Sequence, residues 1–132
     1  MLDFSLHTAK LHPSTDLVAL LSKHVANDGT TVLNFRDPNY TAESGGYCPV
    51  EIGIEVKEGK AKLLYLTDFT YVKFDGFVKG VDFSFEHGVF SIGYGDLPMV
   101  GQDVKAFWEL YTRNFVSYVN SGGLLLDECE TY

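Results

Sequence analysis

Apolar side chains recur at helical spacing between residues 13 and 26, where Leu17, Val18, Leu20, Leu21 and Val25 fall on one side of the chain. Ser14 and Asp16 supply start signals, and Asn27, Asp28 and Gly29 supply the stop. The pattern predicts an amphipathic first helix. His24 lies on the same apolar side and reads as a histidine at the margin of the core, because no second histidine or carboxylate stands beside it at helical spacing.

Beyond Thr30 the period drops to two. Residues 31–35 read as a strand, and Val50, Ile52, Ile54 and Val56 alternate with Glu51, Gly53, Glu55 and Lys57 as one buried and one solvated face. Glu58 and Gly59 turn the chain into residues 60–68, where Leu63, Leu64, Tyr65 and Leu66 are apolar on both faces, as in a central strand. Residues 69–74, the turn pair Asp75 and Gly76, and a short stretch over 77–80 follow. Next, Val81, Phe83 and Phe85 alternate with Asp82, Ser84 and Glu86, and His87 and Gly88 lead into a strand over 89–94. Such short connections cannot carry parallel crossovers, so the strands form an antiparallel meander. The pattern breaks over residues 93–98.

The last helix spans residues 103–120, with Val104, Phe107, Trp108, Tyr111, Phe115, Tyr118 and Val119 in one arc and Lys105, Glu109 and Arg113 on the other side. An arc this aromatic, with no chemistry interleaved, predicts packing on the sheet. Gly122 and Gly123 end the helix, and residues 124–126 add a short edge strand before an acidic tail of Asp127, Glu128 and Glu130. The fold class is therefore α+β, a single domain with an antiparallel meander sheet of about six to seven strands flanked by an N-terminal and a C-terminal helix.

A length of 132 residues with 45% apolar content suffices for one core. Eighteen acidic against ten basic residues leave a net charge of −8, which repels phosphate backbones and anionic headgroups and argues against nucleic-acid and membrane-surface binding. The first ten residues lack a basic start and an apolar stretch and carry Asp3, and no apolar run approaches a membrane span, so a cytoplasmic protein is expected. In that compartment Cys48 and Cys129 are thiols.

One connection is longer and richer than the rest. Between the first two strands run residues 36–51, holding Arg36, Asp37, Tyr40, Glu43, Tyr47, Cys48 and Glu51. Connections over ~12 residues in a compact domain are usually functional or mobile. Arg36 and Asp37 are expected to close the loop as a charge-assisted pair, while Tyr40, Glu43, Tyr47 and Cys48 offer a recognition surface. These seven residues are the candidate binding site.

Catalytic and metal signatures are missing. His7, His12, His24 and His87 show neither metal spacing nor a CxxC partner, so no metal and no cofactor are predicted. Glu51 and Glu55 face one way on a strand but stand ~13 Å apart, too far for a paired-carboxylate mechanism. Gly93, Tyr94 and Gly95 are followed by Pro98 where a dinucleotide fingerprint needs glycine, and no nucleophile elbow occurs.

The string NFRDPNYTAESGGYCPVEI, with YLTDFTYV at residues 65–72 and Asn114, Phe115 and Tyr118 in the pattern NF..Y, resembles a family of small bacterial proteins carried on genomic and pathogenicity islands. The resemblance runs from about residue 32 to residue 119. It implies a fold similar to that of the acidic matrix proteins of the mitochondrial glycoprotein family, an antiparallel sheet of about seven strands with helices from both chain ends. In those relatives the fold assembles as a ring-shaped trimer and binds proteins, so the partner expected here is a protein and the chain a monomer or homo-oligomer. Three functions follow as expectations: an acidic, non-catalytic protein-binding module first; a small-molecule site or enzyme at residues 36–51 second; and an acidic DNA mimic third, in which Lys57, Lys60, Lys62, Lys73 and Lys79 interrupt the acids.

Overall fold

Ser14 opens the first helix, its hydroxyl accepting from the Leu17 amide at 3.2 Å, and the helix, α1, runs over Thr15–Ser22. This is shorter than the periodicity predicts: Lys23 caps the helix, and the following turn keeps Val25 in the core while the Val25 amide still donates to the Leu21 carbonyl. The computed structural model describes residues 1–132 except Ala42, Lys73, Phe74, Tyr94 and Val100. The expected strand assignments of Lys73, Phe74 and Tyr94 therefore lie outside the described residues.

Seven antiparallel strands follow: β1 (Gly29–Arg36), β2 (Val50–Lys57), β3 (Lys60–Val72), β4 (Gly76–Ser84), β5 (Val89–Ile92), β6 (Gly95–Pro98) and, after helix α2 (Gln102–Asn120), β7 (Leu125–Thr131). Their order across the sheet is β6-β5-β4-β3-β2-β1-β7, so the α+β meander is present and β3 is central. Three details depart from the sequence pattern. The predicted stretches either side of Asp68 form one strand, because the register shifts between Thr67 and Phe69 and pairing with β4 resumes beyond the bulge. Residues read as a pattern break form β6, paired with β5 from Gly95↔Ile92 to Pro98↔Val89. The acidic tail belongs to β7, where Glu128 and Glu130 lie opposite Asn34 and Val32 on the otherwise open edge of β1.

Both helices pack on one face of the sheet. There Leu33, Phe35, Ile52, Ile54, Leu63, Leu66 and Phe83 meet Leu17, Leu21, Trp108 and Phe115, with Trp108 set edge-on to Phe83 at 4.8 Å and Phe115 edge-on to Phe35 at 5.2 Å. The opposite face is polar. Along one register line Asn34, Glu51, Thr67, Asp82 and Ser91 lie side by side on β1 to β5. Glu55 pairs there with Lys62 at 3.2 Å and Asp82 with Lys79 at 3.8 Å. No helix among the described residues is long and apolar enough to cross a membrane.

Candidate functional site

The connection from β1 to β2 is tied down by Asp37, but not through Arg36. Asp37 accepts from the Asn39 amide at 2.8 Å and from the Tyr47 amide at 3.0 Å, pinning both ends of the loop to one carboxylate. Arg36 pairs instead with Asp127 of β7 at 3.4 Å, because it lies beside Leu125 at the end of the β1–β7 ladder. The expected Arg36–Asp37 pair is thus replaced by an Asx-type turn and a link between strands.

Two glycines make the loop's path possible. Gly46 has φ of +134°, and a Cβ there would stand 2.7 Å from an Asp37 carboxylate oxygen. A Cβ on Gly123 would meet the Tyr47 ring at 2.5 Å. With both positions bare, Tyr47 lies against the end of α2 and stacks on Tyr118, ring centroids 4.2 Å apart.

That stacked pair lines a cavity of about 240 Å³ between the loop, the start of β2, Asp68 within β3, and α2. Its lining includes Tyr47 and Cys48 from the loop, Asp68 from β3, and Tyr111, Asn114, Phe115 and Tyr118 from α2. Asp68 is 9% exposed and sits on the helix-facing side of the sheet, opposite Val50. Its carboxylate accepts from the Val81 amide at 2.7 Å and from the Tyr111 hydroxyl at 2.7 Å. Burial, and then the negative charge of Asp68, push the Tyr111 phenol far above the ordinary tyrosine value, so it stays a hydrogen-bond donor.

The seven predicted residues therefore divide. Tyr47 and Cys48 reach the cavity, and Asp37 positions Tyr47 from behind. Tyr40 turns the other way: its hydroxyl accepts from the Tyr71 amide at 3.4 Å and its ring tilts against Phe77 at 5.8 Å. Glu43 is exposed in the turn closed by Thr41 and Gly45. Glu51 points to the polar face, where it accepts from the Tyr65 hydroxyl at 2.6 Å. Periodicity missed Asp68, which reads as the polar end of a strand; its one available signal is an acid set between otherwise apolar and hydroxyl positions. No group of three His, Cys, Asp or Glu side chains suited to a metal ion occurs among the described residues.

Residues 10–124 match the family described as protein of unknown function DUF2787. The chain belongs to that family. Among solved structures, it is similar to the hypothetical protein VC0508 from the VSP-II pathogenicity island of Vibrio cholerae, with 33% identity, coverage of 100% of this chain and 99% of the other, and a TM-score of 0.84. It is also similar to the conserved hypothetical protein VC1805 from pathogenicity island VPI-2 of Vibrio cholerae, with 36% identity, 94% and 97% coverage, and a TM-score of 0.78. The latter structure is described as sharing structural homology with the human P32 protein. No functionally curated protein matches the chain. In this DUF2787 chain the three strings that carry the family resemblance converge on the cavity: Tyr47 and Cys48 come from the first, Asp68 from the second, and Asn114, Phe115 and Tyr118 from the third.

Proposed function

We propose that this DUF2787 protein is a non-catalytic, acidic protein-binding module whose partner docks on the distal end of the β3–β4 hairpin. The observation that carries this reading is a group of apolar side chains left in water: Tyr71, Val72, Phe77 and Val78 are 38% to 49% exposed. Tyr71 and Phe77 are register partners on one face of the hairpin end, and Val72 and Val78 lie on its other face. Tyr40 braces the Tyr71–Phe77 pair, whose rings meet edge-on at 5.6 Å, so these two anchors are held before any partner arrives. Rigid aromatic anchors of this kind dominate the energetics of protein interfaces, and contiguous exposed apolar groups mark such surfaces. A net charge of −8 favours a partner with basic residues around its own apolar contact.

In-cell photocrosslinking tests the reading. A benzoyl-phenylalanine at Tyr71, on the same face as Phe77, is expected to capture a defined second protein, and a Phe77→Ser background to lose that product. The same probe at Leu110, which is 47% exposed on α2, is expected to capture nothing comparable. Equal products from both positions, no product, or a crosslink only to a second copy of this chain would each overturn a separate protein partner at this surface.

A further inference from the structure

The cavity that Tyr47 lines holds a chemical combination that the hairpin surface does not, and it stands independently of the protein-binding reading. Among the described residues its one carboxylate is Asp68, which is buried, and the donors that it meets there, the Val81 amide and the Tyr111 hydroxyl, are both neutral. A carboxylate oxygen accepts about two hydrogen bonds, and each Asp68 oxygen has one from these donors. The aromatic rings of Tyr47, Tyr111, Phe115 and Tyr118 line the same space. A buried negative charge without a positive partner is unfavourable, and aromatic faces attract cations.

We propose that this cavity is a binding site for a small organic cation, an alkylammonium or guanidinium group, with Asp68 as its counter-ion and the tyrosine rings as its walls. The same features weigh against other ligand classes. An anion would face Asp68 at close range. A hard metal ion needs several oxygen ligands, and among the described residues a single carboxylate lines the cavity. A neutral apolar molecule would strip water from Asp68 without replacing it. The volume of about 240 Å³ lies below the roughly 300–1,000 Å³ of drug-sized pockets, so the occupant is a cationic head with a few carbons. Two sources share that chemistry, a free amine and a Lys or Arg side chain presented by a protein.

The test uses the full chain with Cys129→Ser, which leaves Cys48 at the cavity as its only thiol. Calorimetric titration with n-butylammonium and n-butylguanidinium is expected to show saturable binding, with neutral n-butanol giving none. Bound cation should also slow alkylation of Cys48 by iodoacetamide in proportion to occupancy. Asp68→Asn keeps an acceptor for Val81 and a polar partner for Tyr111 but removes the charge, so cation affinity should fall at least ~10-fold. Asn114→Trp, placed on an exposed lining residue and leaving Asp68 intact, should block entry while the melting temperature is retained, so the proposal is tested even if Asp68→Asn folds poorly. Tighter binding of the peptide acetyl-Gly-Gly-Lys-Gly-Gly-amide than of the free amine identifies a partner side chain as the occupant, and the reverse order identifies a free amine; either supports the site. Absence of saturable binding by every cationic probe, equal binding of n-butanol, or unchanged affinity in both variants overturns it.

Discussion

His7 joins segments far apart in sequence. It is 5% exposed, its Nε2 donates to the Leu11 carbonyl at 2.7 Å, and its Nδ1 accepts from the Leu63 amide at 3.2 Å on β3. Burial lowers its pKa from the ordinary 6.5, partly opposed by the Leu11 hydrogen bond and reinforced by the nearby His12. The unfolded chain therefore binds a proton at higher pH than the folded one. Its contribution to stability is complete above about pH 6.5 and is lost as pH falls below that value toward the lowered folded pKa. Urea unfolding from about pH 7.5 to about pH 5 should show this loss, and His7→Leu should flatten it while costing ~1–3 kcal/mol at neutral pH through the unpaired Leu63 amide. An unchanged pH slope in the variant would assign the acid sensitivity to other groups. Asp68 works at the same scale: a carboxylate inside a strand is tolerated because Val81 and Tyr111 supply donors from two other elements. Neither His7 nor Asp68 carries a local signal of these long-range partners.

Among the elements, α2 shows how far a clear sequence pattern carries into packing. Val104, Trp108 and Phe115 from the predicted arc are buried, and Thr112 and Val116 join them. Thr112 escapes an apolar count because its hydroxyl is satisfied within the helix, donating to the Trp108 carbonyl at 2.8 Å. Trp108 is 1% exposed, and its indole N–H donates to the His12 carbonyl at 2.9 Å, binding the N-terminal segment to the helix. Trp108→Ala should lower stability by ~3–5 kcal/mol, against about 0.5 kcal/mol or less for Leu110→Ala on the solvent side. Equal losses in thermal or chemical denaturation would contradict the packing. Strands β6 and β7 were less legible. A strand at the sheet margin is exposed on both faces, so its side chains need not alternate, and its existence depends on the edge offered by its neighbour. Asp127, Glu128 and Glu130 look like a solvated tail until β1 is in place beside them.

For the whole molecule, one face of the sheet is buried under two helices and the other is left polar, while the β1–β2 loop borders a cavity and the hairpin end leaves apolar side chains exposed. Cys48 and Cys129 are both free, the first half-buried at the cavity and the second exposed on β7. Titration without reductant should find two thiols per unfolded chain, and in the folded protein Cys129 should react ahead of Cys48; a single reactive thiol, or the reverse order, would contradict this arrangement. The α+β class, the meander order and the central place of β3 were legible in the chain alone. Each of these follows from local periodicity or short turns, properties written along a continuous stretch of chain. Folding was needed to show that Arg36 pairs with Asp127, that Tyr40 meets the β3–β4 hairpin while Tyr47 meets α2, and that Asp68 lines the aromatic cavity. These are meetings between residues tens of positions apart, and a bulge in β3, the register of β7 and the approach of α2 set them, none of which has a pattern confined to its own segment.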